Sequence, residues 1–207
     1  MTAHDLKLLC PAYTMLRNGH VCEACRGGKV SNVLRHRCIK GSTLGSVAVL
    51  AVALLHRMRQ TYQRSLARIV VPSRFYFEKF VSWGWSESQL VYIPNFGPEV
   101  SAAANSPELP AASEPILYAG RLSLEKGVST LVRAAARAGV SVEIAGDGPA
   151  RTIIETLARD LAAPVTFLGR LTGAEVQARM MRARAAVLPS EWYENAPLSV
   201  LEAFAAG

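Results

Sequence analysis

Acidic residues are scarce in the first half of this chain: residues 1–95 hold four Asp/Glu against thirteen Lys/Arg. Residues 96–207 hold twelve against ten. The net charge of +7 over 207 residues therefore lies on one side of the chain, which argues for two units with different surfaces. A basic half favours anionic partners: nucleic acid, an anionic membrane surface or phosphorylated ligands. Nucleic-acid signatures are missing, since there is no helix-turn-helix, zinc-finger or aromatic-rich RNA-binding pattern, and nucleic acid is not expected as a partner. Long apolar runs are also missing. The longest, Val47–Leu55 (VAVLAVALL), falls far short of the ~20 residues that span a bilayer. Met1–Cys10 shows no basic start followed by an apolar stretch, so no secretion signal is read there, and a cytoplasmic location is expected. Charged residues make up only 19% while half the residues are hydrophobic, which excludes a disordered chain and leaves enough apolar side chains for a core.

Val47–Leu55 is followed by His56, Arg57, Arg59 and Arg64. Two readings fit: a buried helix followed by a solvated basic turn, or a helix that makes a peripheral membrane contact, here with the inner membrane surface. Further on, Arg68–Val71 (RIVV) reads as a buried strand. Ser73 can cap a helix reaching about Trp83, with Gly84 as its stop. Leu90–Ile93 is the next strand. The Pro-, Ala- and Ser-rich stretch 96–115 lacks apolar periodicity and reads as a linker.

Beyond the linker the pattern is regular. Ile116–Ala119, Ser141–Ala145, Val165–Leu168 and Ala185–Leu188 read as strands. Between them, Val128, Leu131, Val132 and Ala135 recur at helical spacing, and Ile153, Leu157 and Leu161 mark a second helix face. Thr172 and Glu175 form a capping box for a third helix, and Pro197–Ala206 is a fourth. Alternating strands and helices predict an α/β fold with a parallel sheet covered on both faces. Such sheets bind ligands beyond the carboxyl ends of their strands. The domain reading is therefore a first domain over 1–95 with a Cys-bearing insertion at 10–38, a linker over 96–115, and a Rossmann-like domain over 116–207.

The loops after the strands carry the candidate chemistry. Gly120–Gly127 (GRLSLEKG) sets Arg121 and Lys126 beside the amides of a helix start, an arrangement that suits a diphosphate. At about 4 Å each cation–phosphate pair contributes a few kcal/mol in a partly screened cleft. Gly146-Asp147-Gly148-Pro149 permits close backbone approach. Glu194 stands in the last loop and Glu202 inside the following helix. Carboxylates are the usual partners of vicinal sugar hydroxyls, because each can accept two hydrogen bonds. Taken singly, each loop also fits a plain solvated turn.

Cys10, Cys22, Cys25 and Cys38 fall within one stretch, separated by 11, 2 and 12 residues. Four thiols with one CxxC pair are compatible with structural zinc, with free thiols, or with a redox or iron–sulfur role, and His20 and His36 are spare nitrogen ligands. Disulfides are not expected without a secretion signal.

Together these loops resemble the retaining glycosyltransferases of family 4, enzymes with two Rossmann-like domains facing across a cleft (the GT-B fold). The resemblance rests on His4-Asp5, Pro72-Ser73, Ile93-Pro94-Asn95, Gly120-Arg121 with Lys126-Gly127, Gly146-Asp147-Gly148-Pro149, Phe167-Leu168-Gly169, Pro189-Ser190-Glu191, and Glu194 eight positions before Glu202. It implies a nucleotide-sugar donor and a glycan, lipid-linked or other sugar acceptor, with no metal cofactor required for catalysis. By the same resemblance Arg121 and Lys126 hold the diphosphate, Glu202 the ribose and Glu194 the transferred sugar. His4 reaches that sugar, and Arg170 lies near the base. The backbones of Gly120, Gly146, Gly148, Ala196, Leu198 and Ser199 line the donor. Pro197 stands where the family often has glycine and offers no N–H. Complete two-domain members are about twice as long as this chain. The resemblance therefore implies a piece cut at both ends, with little activity of its own. The alternative reading is a non-catalytic nucleotide-sugar binding module.

Overall fold

The computed structural model describes residues 1–97 and 111–207, so most of the expected linker over 96–115 lies outside the described residues. The chain divides into two units. One holds Met1–Asn95 together with Trp192–Ala196; the other holds Phe96–Glu191 together with Pro197–Gly207.

In the first unit, β-branched Ile69–Val71 forms β3 and pairs in parallel with β4, Leu90–Tyr92, Ile69 lying opposite Leu90. Parallel neighbours need a crossover, and α4, Arg74–Ser82, provides it. Its N-cap is Ser73, whose hydroxyl accepts from the Tyr76 amide at 3.1 Å. Gly84 follows the helix at φ 91°, a left-handed stop. On the other side of β3 the chain start runs parallel to it, with the Ala3 amide donating to Val70 O at 2.8 Å. Leu6, Met15, Ile69, Val71, Phe80 and Leu90 close the core of this unit.

The stretch before β3 is less regular. Leu16–Arg17 (β1) and His20–Val21 (β2) form an antiparallel hairpin. Its two-residue turn is Asn18-Gly19, both at positive φ, the pairing that matches strand twist. Two helices follow: α1, Asn32–Arg35, and α2, Thr43–Met58. A third, α3, spans Thr61–Ser65. The apolar run does form a helix, but not a buried one. Of α2 only Ser46 is fully buried, while Leu44 and Met58 are exposed. The reason is which face packs: Gly45, Ser46, Val49, Leu50, Ala53 and His56 turn inward, while Leu44, Val47, Leu54 and Leu55 are left exposed. No helix among the described residues is long and apolar enough to cross a membrane.

The second unit has a four-stranded parallel sheet in the order β7-β6-β5-β8. Its strands are β5 Ile116–Ala119, β6 Val142–Ala145, β7 Val165–Gly169 and β8 Ala185–Ala186. The helices between and after them are α5 Val128–Ala138, α6 Arg151–Asp160, α7 Gly173–Arg182 and α8 Leu198–Ala206. Alternation along β5 sends Tyr118 to one face, among Val128, Val132 and Ile154, and Leu117 to the other, among Met180 and Ala206. Both faces are thus covered, as the strand–helix alternation predicted. The expected capping box is present: Thr172 Oγ1 accepts from the Glu175 amide, and a Glu175 oxygen accepts from the Thr172 amide at 2.7 Å. Strand β8 is shorter than expected. Val187 still donates to Leu117 O at 2.9 Å, but Pro189 has no N–H to continue the ladder. The buried face of α6 also differs from the expected one. Ile154 and Ala158 point inward, whereas Ile153 is 60% exposed and Leu161 lies past the helix end. Leu157 of the expected face does pack against the core, so the inward face runs through Ile154, Leu157 and Ala158, and only Ile153 and Leu161 fall outside it.

Candidate functional site

At the carboxyl edge of the second sheet three loops pack backbone against backbone. The Gly120 amide donates to Ala145 O at 3.0 Å and the Gly146 amide to Gly169 O at 2.7 Å. Leu122 N donates to Asp147 O, and Ala150 N to Leu122 O, both at 3.0 Å. The glycines are needed for this packing. A Cβ on Gly146 would sit 1.8 Å from Gly120 O, one on Gly148 2.3 Å from Leu122 O, and one on Gly127 1.9 Å from Pro189 O. The close approach read from the sequence is thus the approach of neighbouring loops to one another.

Arg121 is held at a fixed place in this edge. The buried Tyr118 hydroxyl donates to Arg121 O at 2.9 Å, and the Arg121 guanidinium meets Glu125 Oε1 at 3.0 Å. Its side chain is 62% exposed. Burial pushes the Glu125 carboxyl up, but hydrogen bonds from Ser123, its own amide and Arg121 outweigh this and hold it below the ordinary carboxylate range. Glu125 also ties in the last loop, since its carbonyl accepts from the Glu191 amide at 2.9 Å. Thr130 of α5 donates to the Glu191 carboxylate. Lys126 ends the short 3-10 turn Leu124–Lys126, immediately before Gly127 and α5. Tyr118, Glu125 and Thr130 were not singled out from the sequence. Glu125 lies four residues after Arg121, the ordinary ion-pair spacing, and that was the one available signal.

Arg170 follows β7 with its side chain 85% exposed and 3.9 Å from Asp147 Oδ2. Asp147 also receives the Gly148 amide at 2.8 Å and Arg151 at 3.8 Å. Helix α8 opens at Leu198 behind Pro197 with no side-chain cap, and Ser199 lies in its first turn. Glu202 is half-buried on α8.

Glu194 belongs to the first unit, as do Ala196 and His4. Two anchors hold Trp192–Ala196 there. Tyr193 and Lys79 converge on Glu23, with Tyr193 OH donating to Glu23 Oε1 at 2.7 Å and Lys79 Nζ at 2.6 Å. Lys79 also lies over the Tyr193 ring, 4.4 Å from its centroid. Asn195 donates to Ala3 O at 3.2 Å and accepts from Ser73 Oγ at 3.0 Å. The chain just before exposed His4 is thereby tied to the residue after Glu194. Glu194 accepts from Trp192 Nε1 at 2.9 Å. Tyr76 lies close by: burial, with the charges of Asp5 and Glu194, pushes its phenol up.

The four cysteines are free thiols. They line one void of about 10 Å³, together with His36 and Met15 among others. A larger cavity of about 530 Å³ lies in the same unit against α2, lined by Leu9, Val49, Val52, Trp83 and Trp85; none of the expected donor-binding residues lines it.

Comparison with known proteins follows the same division. Residues 102–207 match the family described as glycosyl transferases group 1. Glycogen synthase of Mycobacterium tuberculosis is 40% identical over 99 residues, which cover 44% of this chain and 24% of that protein. Alpha-D-kanosaminyltransferase of Streptomyces kanamyceticus is 39% identical over 94 residues, 42% of this chain and 24% of that protein. The alignments thus reach about a quarter of the length of these curated relatives. Among solved structures, Anabaena Alr3699/HepE in complex with UDP has a TM-score of 0.59 at 17% identity, covering 81% of this chain and 48% of its own. Staphylococcus aureus TarM, crystallised with UDP, has a TM-score of 0.59 at 19% identity, over 70% of this chain and 29% of its own. These structural likenesses establish the fold class, α/β units with parallel sheets of the kind found in GT-B glycosyltransferases.

Proposed function

The chain belongs to the group 1 glycosyl transferases, and from that membership we propose that it carries the nucleotide-sugar donor site of a retaining glycosyltransferase of family 4, of hexosyltransferase type. The observation that carries this reading is the edge where the glycine-bearing loops after β5 and β6 interlock with each other and with the loop after β8, and hold Arg121 and Lys126 beside the start of α5. UDP accompanies both solved structures described above, which supports a nucleoside diphosphate as the ligand class.

In this reading the diphosphate draws Arg121 away from Glu125, and Lys126 and the first-turn amides of α8 at Leu198 and Ser199 share its charge. Glu202 accepts from the ribose hydroxyls, and Arg170 lies toward the base. By the family resemblance, Glu194 and His4 are assigned to the hydroxyls of the transferred sugar. The bond between the sugar C1 and the diphosphate oxygen breaks, and its electron pair leaves with the nucleoside diphosphate. The acceptor hydroxyl oxygen bonds to C1 on the same face, and its proton passes to a diphosphate oxygen. A few kcal/mol of leaving-group stabilisation corresponds to two or three decades of rate. Metal is not needed in this scheme, because fixed cations and amides meet the developing charge.

Calorimetric titration with UDP and with GDP tests the donor assignment. Arg121→Ala and Lys126→Ala should each weaken binding about tenfold or more, the effect of losing one partly screened cation–phosphate pair. Unchanged affinity in both variants would remove the phosphate assignment. In a paired transfer assay, product whose anomeric NMR signals show inverted configuration would refute retention. Binding with no transfer would favour a non-catalytic module.

A further inference from the structure

The stretch from Cys10 to Lys40 has little apolar packing to hold it. Ala12, Met15, Cys25 and Val33 are its fully buried residues. It nevertheless keeps Tyr13, Met15, Asn18, Arg37 and Lys40 in left-handed backbone, at φ between 46° and 56°. Each such residue raises the free energy of the folded loop, so something must over-determine the conformation. The β1–β2 hairpin is too short to do so alone.

All four cysteine side chains of the protein meet at the centre of this stretch, around a single void of about 10 Å³. That is the size of one small atom or ion rather than an organic ligand. His36 lines the void as well, but Arg17 already contacts its ring nitrogens at 2.9 Å.

We propose that Cys10, Cys22, Cys25 and Cys38 form a structural zinc site that holds this stretch folded. The donor set selects the metal. Four thiolates with no carboxylate favour zinc over harder cations, and a closed tetrahedral set leaves no open position for chemistry. Among the described residues, no group of three or more His, Cys, Asp or Glu side chains stands already at ligand spacing. The thiols surround a void instead, and binding releases their protons and draws the sulfurs inward. With Zn–S bonds of about 2.3 Å, the sulfurs of a tetrahedron stand about 3.8 Å apart, close to their ordinary van der Waals separation. This site is independent of the donor assignment, because none of its ligands is assigned to the nucleotide sugar.

The test is metal analysis of the purified 207-residue chain. About one equivalent of zinc is expected, and under about a tenth of an equivalent overturns the proposal. An iron chromophore, or disulfides among these cysteines, also overturns it. Cys22→Ser and Cys25→Ser should lose the metal, while His36→Ala should keep it; loss with His36→Ala refutes the four-cysteine set. If the serine variants fail to fold, the unmodified chain still decides. Cobalt exchanged for zinc should show thiolate charge-transfer absorption and strong tetrahedral visible bands. All four thiols should react with a thiol reagent only after chelation. Rapid reaction of all four before chelation refutes the site.

Discussion

Gly146 and Gly139 both hold positive φ, at 138° and 64°, yet they differ in what surrounds them. A Cβ on Gly139 meets nothing within 4 Å, whereas one on Gly146 would lie 1.8 Å from Gly120 O. Gly139→Ala should therefore cost about 1–2 kcal/mol, the backbone strain alone. Gly146→Ala must also push the neighbouring loops apart and should cost more than about 3 kcal/mol. Urea denaturation of the two variants measures the gap, and equal losses would mean that the loops are not locked together. At this scale the sequence was informative about residue type. Glycines and cations after strands pointed to the edge of the sheet. It did not reveal that Arg121 is engaged by Glu125, because two charges four residues apart in a loop meet only if the backbone turns them toward each other.

Among the elements, α6 shows how a periodicity can be right in kind and only partly right in phase. The helix exists, and its inward face is set by where β5 and β6 place Tyr118 and Ile144. Ile154, 1% exposed, is the residue that packs there. Ile154→Ala should destabilise the protein by about 2–5 kcal/mol, whereas Ile153→Ala should stay within about 0.5 kcal/mol. Thermal melts of both variants decide between the two faces. The caps were more legible than the faces. Ser73 and Thr172 act within three residues of themselves, so local sequence contains the whole interaction. Helix α2 is the opposite case, since nothing local to VAVLAVALL says which side of it will be covered.

For the molecule as a whole, the telling feature is the return of Trp192–Ala196 to the first unit through Glu23, Lys79 and Tyr193. Burial pushes the Glu23 carboxyl up, but its hydrogen bonds to Lys79 and Tyr193 prevail and hold it below its usual 4.5. Its contribution is thus present above pH 4.5 and is lost as pH falls through the lower folded value. Burial opposes the charge on Lys79, but Glu23 outweighs it and raises that ammonium above 10.5, so its contribution is full below pH 10.5 and fades above. Between these limits the anchor should be insensitive to pH. Tryptophan emission that includes Trp192 should stay constant from about pH 5 to pH 10 and shift to the red as pH falls through the lowered Glu23 value. Tyr193→Phe, which removes the hydroxyl shared with Glu23, should move that acid transition upward. An unchanged transition in Tyr193→Phe would separate it from this anchor. By itself the sequence determined the strand–helix alternation, the caps, and the glycine and cation content of the loops, because these depend on neighbours a few residues apart. The tertiary structure alone decided that Glu194 stands with the first unit, that Arg121 faces Glu125, and that four cysteines up to 28 positions apart surround one void. Those facts depend on contacts between residues distant in the chain, which only packing brings together.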